Sequence, residues 1–581
     1  MKQLKIILYI VFVLGFVHES KAQAKNDYNW ILGYLPNHPE SYFGGVQIDF
    51  NQDFTSPKYF ETKCNALAAA VLSSNSGKLL AYSNGCSIFN RNHEIMIGGD
   101  TIAGGSIWDS YCEDLGYPGT QNHILLPWPG DTSKAILFYL KSNENITTYH
   151  LLYATMQFDS DHPLGFVVQK DKYLLNPGTT ALLTATKHAN GRDWWFLIPE
   201  DNTNRFFTFL LDPIGITKID SQRIGIAWEE REWASQAIFT PDGRKYIRFN
   251  PWKGLDIFDF DRCTGALSNP LESGPFSDPV IFAGGVATSD DSRYLFVANG
   301  TVMYQFDLVN ENILESKVII DTFDGFHDPF ATTFYQMALA PDGKIYVFCT
   351  NGVKSIGVIN NPKAKGDSCN FTQHSLKLPT YNSIGAVNLP YFRLGPDDAS
   401  SCDTLGLNNL PIADFRYEID TINPLKVSFR NLSYFEPETF YWTFGNTMSS
   451  TLEDSDPMEY ASYDKYEVCL TVANQYGENI FCRIVDLTDT ISAVNPFEHR
   501  HPIVVKPNPF QSDIYITLGM EYTDATIDLF SSLGEPVYHE RLTRGENTIH
   551  IPSLPDGLYF YQIREKGIVL KTGKIVKVDK W

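Results

Sequence analysis

Residues 241–248 read Pro-Asp-Gly-Arg-Lys-Tyr-Ile-Arg, and residues 341–348 read Pro-Asp-Gly-Lys-Ile-Tyr-Val-Phe. Each stretch is a tight turn followed directly by a run of aromatic and apolar residues, which is typical of a turn that enters a β-strand. Turns of the same kind occur four more times, and their markers, in the place of Gly243 and Gly343, are Gly77, Gly130, Gly191 and Ser292. The six markers are 53, 61, 52, 49 and 51 residues apart, which indicates a repeat architecture.

The spacing inside each repeat favours antiparallel strands. A second turn follows the marker in the last three repeats, at residues 263–265, at Asn310 and at residues 360–362. Two turns per repeat, without helical periodicity, predict three or four antiparallel strands in each one. Small sheets of this kind bury both faces when they are arranged radially, so the sequence predicts an all-β chain with an N-terminal β-propeller. A solenoid of stacked β repeats is the alternative.

The predicted number of blades is seven, with six as the alternative. Six blades follow from the six turns. We expect the seventh to combine strands near residues 30–34 with the last strands near residues 386–393, because joining the two chain ends removes exposed sheet edges.

Composition limits the classes of function. The chain has 581 residues with 46 Lys+Arg and 68 Asp+Glu, a net charge of -22. Hydrophobic residues make up 43% and charged residues 20%, which excludes wholesale disorder. The negative charge argues against binding to nucleic acid or to anionic lipid.

The N-terminus has the pattern of a signal peptide. Lys2 and Lys5 precede the apolar residues 6–17, and Ser20 and Ala22 stand at the positions that a signal peptidase reads. We therefore expect cleavage between Ala22 and Gln23, with an uncleaved membrane anchor as the alternative. No later stretch predicts a transmembrane segment, so the mature chain should be exported in soluble form, where disulfides are permitted.

Charge and turn content divide the rest of the chain. We predict a signal peptide at 1–22, the propeller at 28–394, a linker at 395–410, a β-sandwich of immunoglobulin type at 411–490, a linker at 491–500 and a second sandwich at 501–581. Residues 411–490 carry a net charge of -9, from 5 basic and 14 acidic residues, whereas residues 501–581 carry -1, from 9 basic and 10 acidic residues.

The first sandwich resembles a PKD domain. Residues 440–446 read Phe-Tyr-Trp-Thr-Phe-Gly-Asn, and residues 466–472 read Tyr-Glu-Val-Cys-Leu-Thr-Val. Asn446 and Thr447 stand where the family has Asp-Gly, which departs from the family turn and keeps the core positions.

The second sandwich resembles the type A C-terminal sorting domain of the type IX secretion system. The motif residues are Pro507, Asn508, Pro509, Phe510, Gly534, Gly557, Tyr559, Gly573 and Lys574. The resemblance implies a Bacteroidota-type bacterium, recognition by the type IX secretion machinery and transport across the outer membrane. It also implies that the domain is usually cut off afterwards and that the protein is then released or attached to the cell surface.

Residues 28–200 resemble, more loosely, the propellers of uncharacterised secreted proteins from such bacteria, which implies architecture without an activity.

Catalytic signals are weak in this sequence. None of the G-x-S-x-G, H-E-x-x-H, P-loop and C-x-x-C motifs occurs in it. The sequence context favours structural or loop roles for His123 and His327. It favours blade filling over stacking on sugars for Trp228, Trp233 and Trp252. We therefore assign no catalytic, cofactor or metal residue and expect no cofactor.

The favoured function is a binding protein whose propeller holds an extracellular glycan or protein, with the PKD-like domain as a spacer. The alternative is a secreted propeller hydrolase or lyase, acting on a polysaccharide or another extracellular substrate with polar residues at the axial mouth.

Hairpin geometry pairs two of the nine cysteines. If Gln475 and Tyr476 form a two-residue turn, opposed positions sum to 951, and Cys469 and Cys482 face each other at a non-hydrogen-bonded pair. Their Cα atoms would then lie roughly 4.5 Å apart, within disulfide range. The other seven cysteines stay unassigned.

Overall fold

The structure is a computed structural model of the chain. It describes residues 24–35, 38–52, 56–61, 69–112, 116–146, 149–228, 234–276, 284–383, 385–398, 400–488, 503–507, 509–518, 525–531, 535–565 and 568–578. The signal-peptide cleavage site at Ala22 and Gln23, the motif residues Asn508 and Gly534, Trp233 and the predicted linker 491–500 lie outside these residues. No helix in the described ranges is long and apolar enough to cross a membrane.

Seven small antiparallel sheets follow one another along the first two thirds of the chain. Blades 1 and 2 have three strands each: β1 Asn29–Tyr34, β2 Gly44–Asp49, β3 Lys58–Phe60, β4 Ala70–Ser73, β5 Leu79–Ser83 and β6 Ile88–Asn90. The helix α1 spans Ser106–Tyr111. Blades 3 and 4 have four strands each: β7 His123–Pro127, β8 Lys134–Ser142, β9 Tyr149–Gln157, β10 Phe166–Thr179, β11 Thr184–Lys187, β12 Trp194–Pro199, β13 Arg205–Asp212 and β14 Gly215–Arg223.

Blades 5 to 7 also have four strands each. They consist of β15 Gln236–Phe239, β16 Lys245–Asn250, β17 Gly254–Phe260, β18 Leu267–Glu272, β19 Gly284–Thr288, β20 Tyr294–Asn299, β21 Val302–Asp307, β22 Val318–Thr322, β23 Met337–Leu339, β24 Ile345–Val347, β25 Val353–Ile359 and β26 Phe371–Asn382. Short 3-10 turns span Leu314–Ser316 and Gly366–Cys369. Seven consecutive sheets confirm the prediction of an all-β chain with a seven-bladed propeller.

The six repeat markers occupy equivalent positions. Each lies in the hairpin between the first and second strands of blades 2 to 7. All six have positive φ: 85° at Gly77, 73° at Gly130, 75° at Gly191, 69° at Gly243, 61° at Ser292 and 73° at Gly343. The recurrence of glycine follows from this left-handed conformation, which costs a residue with a Cβ atom roughly 1–2 kcal/mol.

Packing of blade 7 on blade 1 closes the ring. The indole of Trp30 meets the ring of Tyr346 at 5.3 Å, and the backbone N–H of Tyr381 donates to the carbonyl of Tyr42 at 2.8 Å. The expected composite blade is wrong, because β1 pairs with β2 in a blade of its own and the described residues 386–393 form no strand. This segment contributes single hydrogen bonds instead, such as that from the N–H of Asn388 to the carbonyl of Ala69 at 3.0 Å.

The first sandwich pairs one sheet of β27 Phe415–Ile419, β28 Lys426–Asn431 and β31 Met458–Glu459 with a second sheet. That second sheet contains β30 Ser449–Ser450, β29 Thr439–Thr443, β32 Lys465–Asn474 and β33 Gly477–Asp486. Trp442 is fully buried at its centre, 5.2 Å from the ring of Phe415. Cys469 and Cys482 form a disulfide with Cα atoms 4.1 Å apart, the pair expected from the hairpin.

The second sandwich also has two sheets. One contains β34 Val504–Lys506, β35 Asp513–Leu518 and β38 Gly545–His550, in that order, and the other has the order β37 Pro536–Leu542, β36 Ala525–Ser531, β39 Gly557–Glu565 and β40 Ile568–Lys577. Its core contains Ile516, Ile527, Leu529 and Ile563, which alternate with outward side chains along their strands. Both predicted sandwiches are therefore present.

The chain forms two compact units. The first contains residues 1–418, 427–458 and 467–484, and the second contains residues 419–426, 459–466 and 485–581. The propeller and most of the first sandwich thus belong to one unit.

The segment predicted as the linker 395–410 is irregular, yet it is attached to the propeller. A disulfide joins Cys402 to Cys263, which follows the third strand of blade 5. The backbone N–H of Asp397 donates to the carbonyl of Ala189 at 2.8 Å, and the guanidinium of Arg262 donates to the carbonyl of Gly395 at 2.5 Å. A third disulfide joins Cys86 to Cys112.

Candidate functional site

Buried amide side chains cross the propeller axis. The side chain of Gln121, just before blade 3, donates to the carbonyl of Ala237 at 2.8 Å and accepts from the N–H of the same residue at 2.6 Å. The side chain of Gln236 accepts from the N–H groups of Val286 and Met337, both at 3.0 Å. Each side chain thus ties the inner strand of one blade to that of another.

Two further amides complete this network. The side chain of Gln336 accepts from the N–H of Ala386 at 3.1 Å. Asn388 donates to the carbonyls of His123 at 2.9 Å and Leu183 at 3.0 Å. Each such bond contributes about 1 kcal/mol, and leaving a buried partner unpaired would cost more. Gln121, Gln236, Gln336 and Asn388 are hereafter the axial amides.

The axial amides were missed by the sequence analysis, although a signal was present. Gln236 and Gln336 each stand seven positions before their marker glycine, Gly243 and Gly343. A polar residue at the start of a buried strand, repeated in register with the turn, predicts a shared structural role. Which group each amide contacts depends on segments up to 267 residues away, as between the side chains of Gln121 and Asn388.

The axial cavity beside the amides is small. It has a volume of about 70 Å³, and Asp27 is the acidic residue in its lining. The carboxylate of Asp27 accepts two hydrogen bonds from the guanidinium of Arg393, at 2.7 and 2.8 Å. Most glycosidases use a pair of carboxylates, and the lining of this cavity has one, which is already paired with Arg393.

The aromatic and histidine candidates have structural contacts. Trp228 is fully buried, and the guanidinium of Arg248 lies 3.8 Å above its ring. Arg248 pairs with Asp256 at 2.9 Å, and burial raises the pKa of Asp256 to about 6. His123 is buried with its Nε2 atom 2.9 Å from the carbonyl oxygen of Ser83, whereas His327 is exposed. The predicted blade-filling role fits Trp228.

A larger groove opens within the first unit. It has a volume of about 1160 Å³. One wall consists of the marker turns of blades 2 to 4, at residues 74–76, 128–132 and 191–192, and the other includes residues 412–413 and 478–481 of the first sandwich. The marker turns, which the sequence identified only as fold signals, therefore line this groove.

The groove combines aromatic, aliphatic and charged groups. Trp128 lines it half-buried, with its indole N–H donating to the carbonyl of Pro213 at 3.1 Å, and Ile480 is 60% exposed. The Lys187 ammonium lies 3.9 Å above the ring of Trp194. Burial lowers the pKa of Lys187 to about 7, against the opposing effect of Asp193. Such a surface can stack a sugar ring or hold an apolar side chain beside polar groups.

The described sorting motif residues meet in the second sandwich. Phe510 is buried at 1% exposure, its N–H donates to the carbonyl of Val576 at 2.8 Å, and its carbonyl accepts from the N–H of Val578 at 3.0 Å. The motif that contains Pro507, Pro509 and Phe510 is thereby attached to the last strand, although the two motifs are more than 60 residues apart in sequence.

The glycine and tyrosine motif residues lie on the paired strands β39 and β40. Gly573 stands opposite Tyr561, and a Cβ atom at Gly573 would come within 2.5 Å of the tyrosine ring. Gly557 stands opposite Lys577, and the hydroxyl of Tyr559 donates to the carbonyl of Pro555 at 2.8 Å. Glycine at 573 thus makes room for a ring that covers the strand. Lys574 has its side chain exposed.

Comparison with known proteins identifies this domain. Residues 504–578 match the family described as "Secretion system C-terminal sorting domain". They form a sorting domain of the type IX system, which indicates export across the outer membrane, to the cell surface or the extracellular space. No curated protein matches the chain.

Solved structures give similarity at low identity. The PKD1 domain of the Vibrio cholerae metalloprotease PrtV is 25% identical, with 13% of this chain and 95% of that chain covered and a TM-score of 0.12. A putative 6-phosphogluconolactonase from Bacteroides fragilis is 13% identical, with 62% and 98% covered and a TM-score of 0.39. PorZ, a surface component of the type IX secretion system of Porphyromonas gingivalis, is 10% identical, with 93% and 90% covered and a TM-score of 0.16.

Proposed function

We propose that this protein is a type IX secretion substrate whose propeller and first sandwich bind an extracellular glycan or protein at the cell surface. The observation that carries the proposal is the sorting domain at residues 504–578, with its two sequence motifs meeting on β40. That domain is the export signal, and the proposed ligand site lies in the propeller and the first sandwich.

The groove supports a binding role more than the axis does. The axial amides fill the centre of the propeller, and the cavity beside them has room for only a few water molecules at about 70 Å³. The groove, at about 1160 Å³, is large enough for several sugar rings or a short peptide. Trp128 offers an aromatic surface, and Asp131, Arg192 and Glu478 offer charged hydrogen-bonding groups.

The first sandwich then acts as a wall of the site and not as a spacer. Arg416 donates to the carbonyl of Asn360 in blade 7 at 2.9 Å, and Lys344 pairs with Glu418 at 2.6 Å. Together with the disulfide between Cys263 and Cys402, these contacts hold the groove walls together. A preorganised groove loses less entropy when a ligand binds.

Export is tested by truncation in a bacterium that has a type IX secretion system. A chain ending at Thr490 should lose its signal peptide and stop in the periplasm, and residues 491–581 fused to a periplasmic passenger should carry that passenger out. Normal amounts of the truncated chain outside the cell would contradict the export proposal.

Binding is tested with the released protein on glycan and protein arrays. A ligand of the wild type should bind Trp128→Ala roughly two- to tenfold more weakly, because one stacked ring contributes about 0.5–1.5 kcal/mol. The matched control is Tyr59→Ala, since Tyr59 is 53% exposed on β3 and does not line the groove. Equal losses in both variants would place the ligand elsewhere.

A further inference from the structure

The outer face of the sheet β37-β36-β39-β40 has an apolar end. Phe530, Phe560 and Lys574 stand opposite one another on three neighbouring strands, and Leu558 stands opposite Val576 in the adjacent row. Phe560 is 44% exposed and Leu558 is 41% exposed. These five residues are hereafter the outer patch.

The other end of the same face is polar and internally bonded. His539 contacts the Asp528 carboxylate at 2.6 Å, and Arg564 donates to the Gln562 side chain at 3.0 Å. Thr572, also exposed, completes that end. The exposed apolar side chains are therefore concentrated at the outer patch and at Val537 beside it on β37, which is 37% exposed. Phe560 and Leu558 are exposed beside the half-buried Phe530, and exposed apolar side chains that lie together mark interaction surfaces, because water contact with them is unfavourable.

The motif residues separate into two roles. Phe510, Tyr559 and Gly573 serve the interior of the domain, as their burial or ring contact shows. Lys574 has an exposed side chain within the outer patch. A surface that identifies the domain to a partner has to include exposed groups, and Lys574 brings a motif residue into the patch.

Charge indicates the chemistry of the partner. Residues 501–581 carry a net charge of -1, which leaves -21 of the total -22 on residues 1–500. An apolar surface bordered by carboxylates would attract Lys574 and repel most of the remaining chain. Such complementarity selects the sorting domain over its cargo.

We propose that the outer patch is the surface by which the secretion machinery recognises this domain, through a machinery component with an apolar site bordered by acidic side chains. This inference rests on the proposed export. The rings of Phe530 and Phe560 would become buried against the machinery component. Lys574 would orient the domain on that component and distinguish it from the acidic remainder of the chain.

The test uses the full chain in a bacterium with a type IX secretion system. The patch variants are the double substitution Leu558→Ser and Phe560→Ser, and Lys574→Glu alone. The matched control is the double substitution Gln562→Ser and Thr572→Ser at the polar end of the same face. Folding is followed by protease resistance of residues 503–578 in the retained and exported protein.

Both patch variants should stay folded and show a roughly tenfold fall in exported protein, the loss expected for an interface anchor, with the missing material in the periplasm. The control should be exported like the wild type. Folded patch variants exported in normal amounts would overturn the proposal. If the serine pair loses protease resistance, Lys574→Glu decides: its retention supports the proposal and its normal export overturns it. The chain ending at Thr490 separates the two questions, because its normal export would refute the export proposal itself.

Discussion

Cys263 and Cys402 are joined by a disulfide that spans 139 residues of sequence and fixes the segment after the propeller to blade 5. The same segment leads into the first sandwich, whose residues form one wall of the groove. The bond therefore connects the fold of the propeller to the geometry of the proposed ligand site.

Replacing Cys402 by serine should lower the free energy of unfolding by up to about 5 kcal/mol, the chain-entropy value for a loop of this length. Thermal unfolding under oxidising conditions measures the change, and protease should cut residues 395–410 faster. The double variant Cys263→Ser and Cys402→Ser should have the same melting temperature as Cys402→Ser alone. Once Cys402 is replaced, Cys263 has no partner for this disulfide, so removing its thiol changes nothing further. Equal stability of wild type and Cys402→Ser would contradict the bond.

The disulfide set predicts a defined peptide map. Non-reducing digestion and mass spectrometry should recover linked peptides for Cys469 with Cys482, Cys86 with Cys112 and Cys263 with Cys402. Cys349 should alkylate only after unfolding, since it is buried and burial raises its pKa to about 12. Recovery of Cys469 and Cys482 as two free thiols would refute the hairpin register.

Gly243→Ala should destabilise the propeller by roughly 2–4 kcal/mol. Gly243 has a φ of 69°, and an added Cβ would lie 2.7 Å from the Thr186 hydroxyl and 2.9 Å from Leu394. The expected loss combines backbone strain with overpacking. Gly274→Ala is the matched control, because Gly274 has a φ of 63° with open space around it, and it should cost only about 1 kcal/mol. Denaturant unfolding of both variants gives the two values; similar losses would rule out the crowding argument.

Gly573→Ala should loosen the second sandwich. The added methyl group meets the ring of Tyr561, so the ring has to move, at a cost of roughly 1–3 kcal/mol. Hydrogen exchange in residues 557–577 should accelerate, while exchange in the propeller should stay unchanged. Adding Tyr561→Leu should recover part of the loss because the smaller side chain leaves room for the methyl group. Full protection in Gly573→Ala would contradict the close packing.

Lys187 should make stability depend on pH. Burial lowers its pKa in the folded protein from 10.5 to about 7. Between these values the unfolded chain binds more protons than the folded chain at this site, so the contribution of Lys187 to stability rises as pH increases from 7 to 10. The melting temperature of Lys187→Gln minus that of the wild type should therefore decrease over this range. A constant difference between pH 7 and pH 10 would show that the lysine titrates normally.

Local sequence determined the strands and turns of this protein. The positive φ at six markers and the alternation along the strands depend on neighbouring residues, so both are visible in the sequence around Gly243 or Gly343. The same holds for Cys469 and Cys482, because a two-residue hairpin fixes which positions oppose each other. The sorting domain was identifiable because its motif residues follow one another in a short C-terminal segment.

Only the tertiary structure decided which distant residues meet. The axial amide of Gln121 contacts Asn388, Cys263 reaches Cys402, and Phe510 pairs with the last strand. The groove likewise needs turns of three blades beside a separate sandwich. Contacts of this kind follow from how blades close into a ring and how the chain ends return to it. A periodic sequence pattern does not specify which distant residues come into contact, because many arrangements of equivalent blades satisfy the same local preferences.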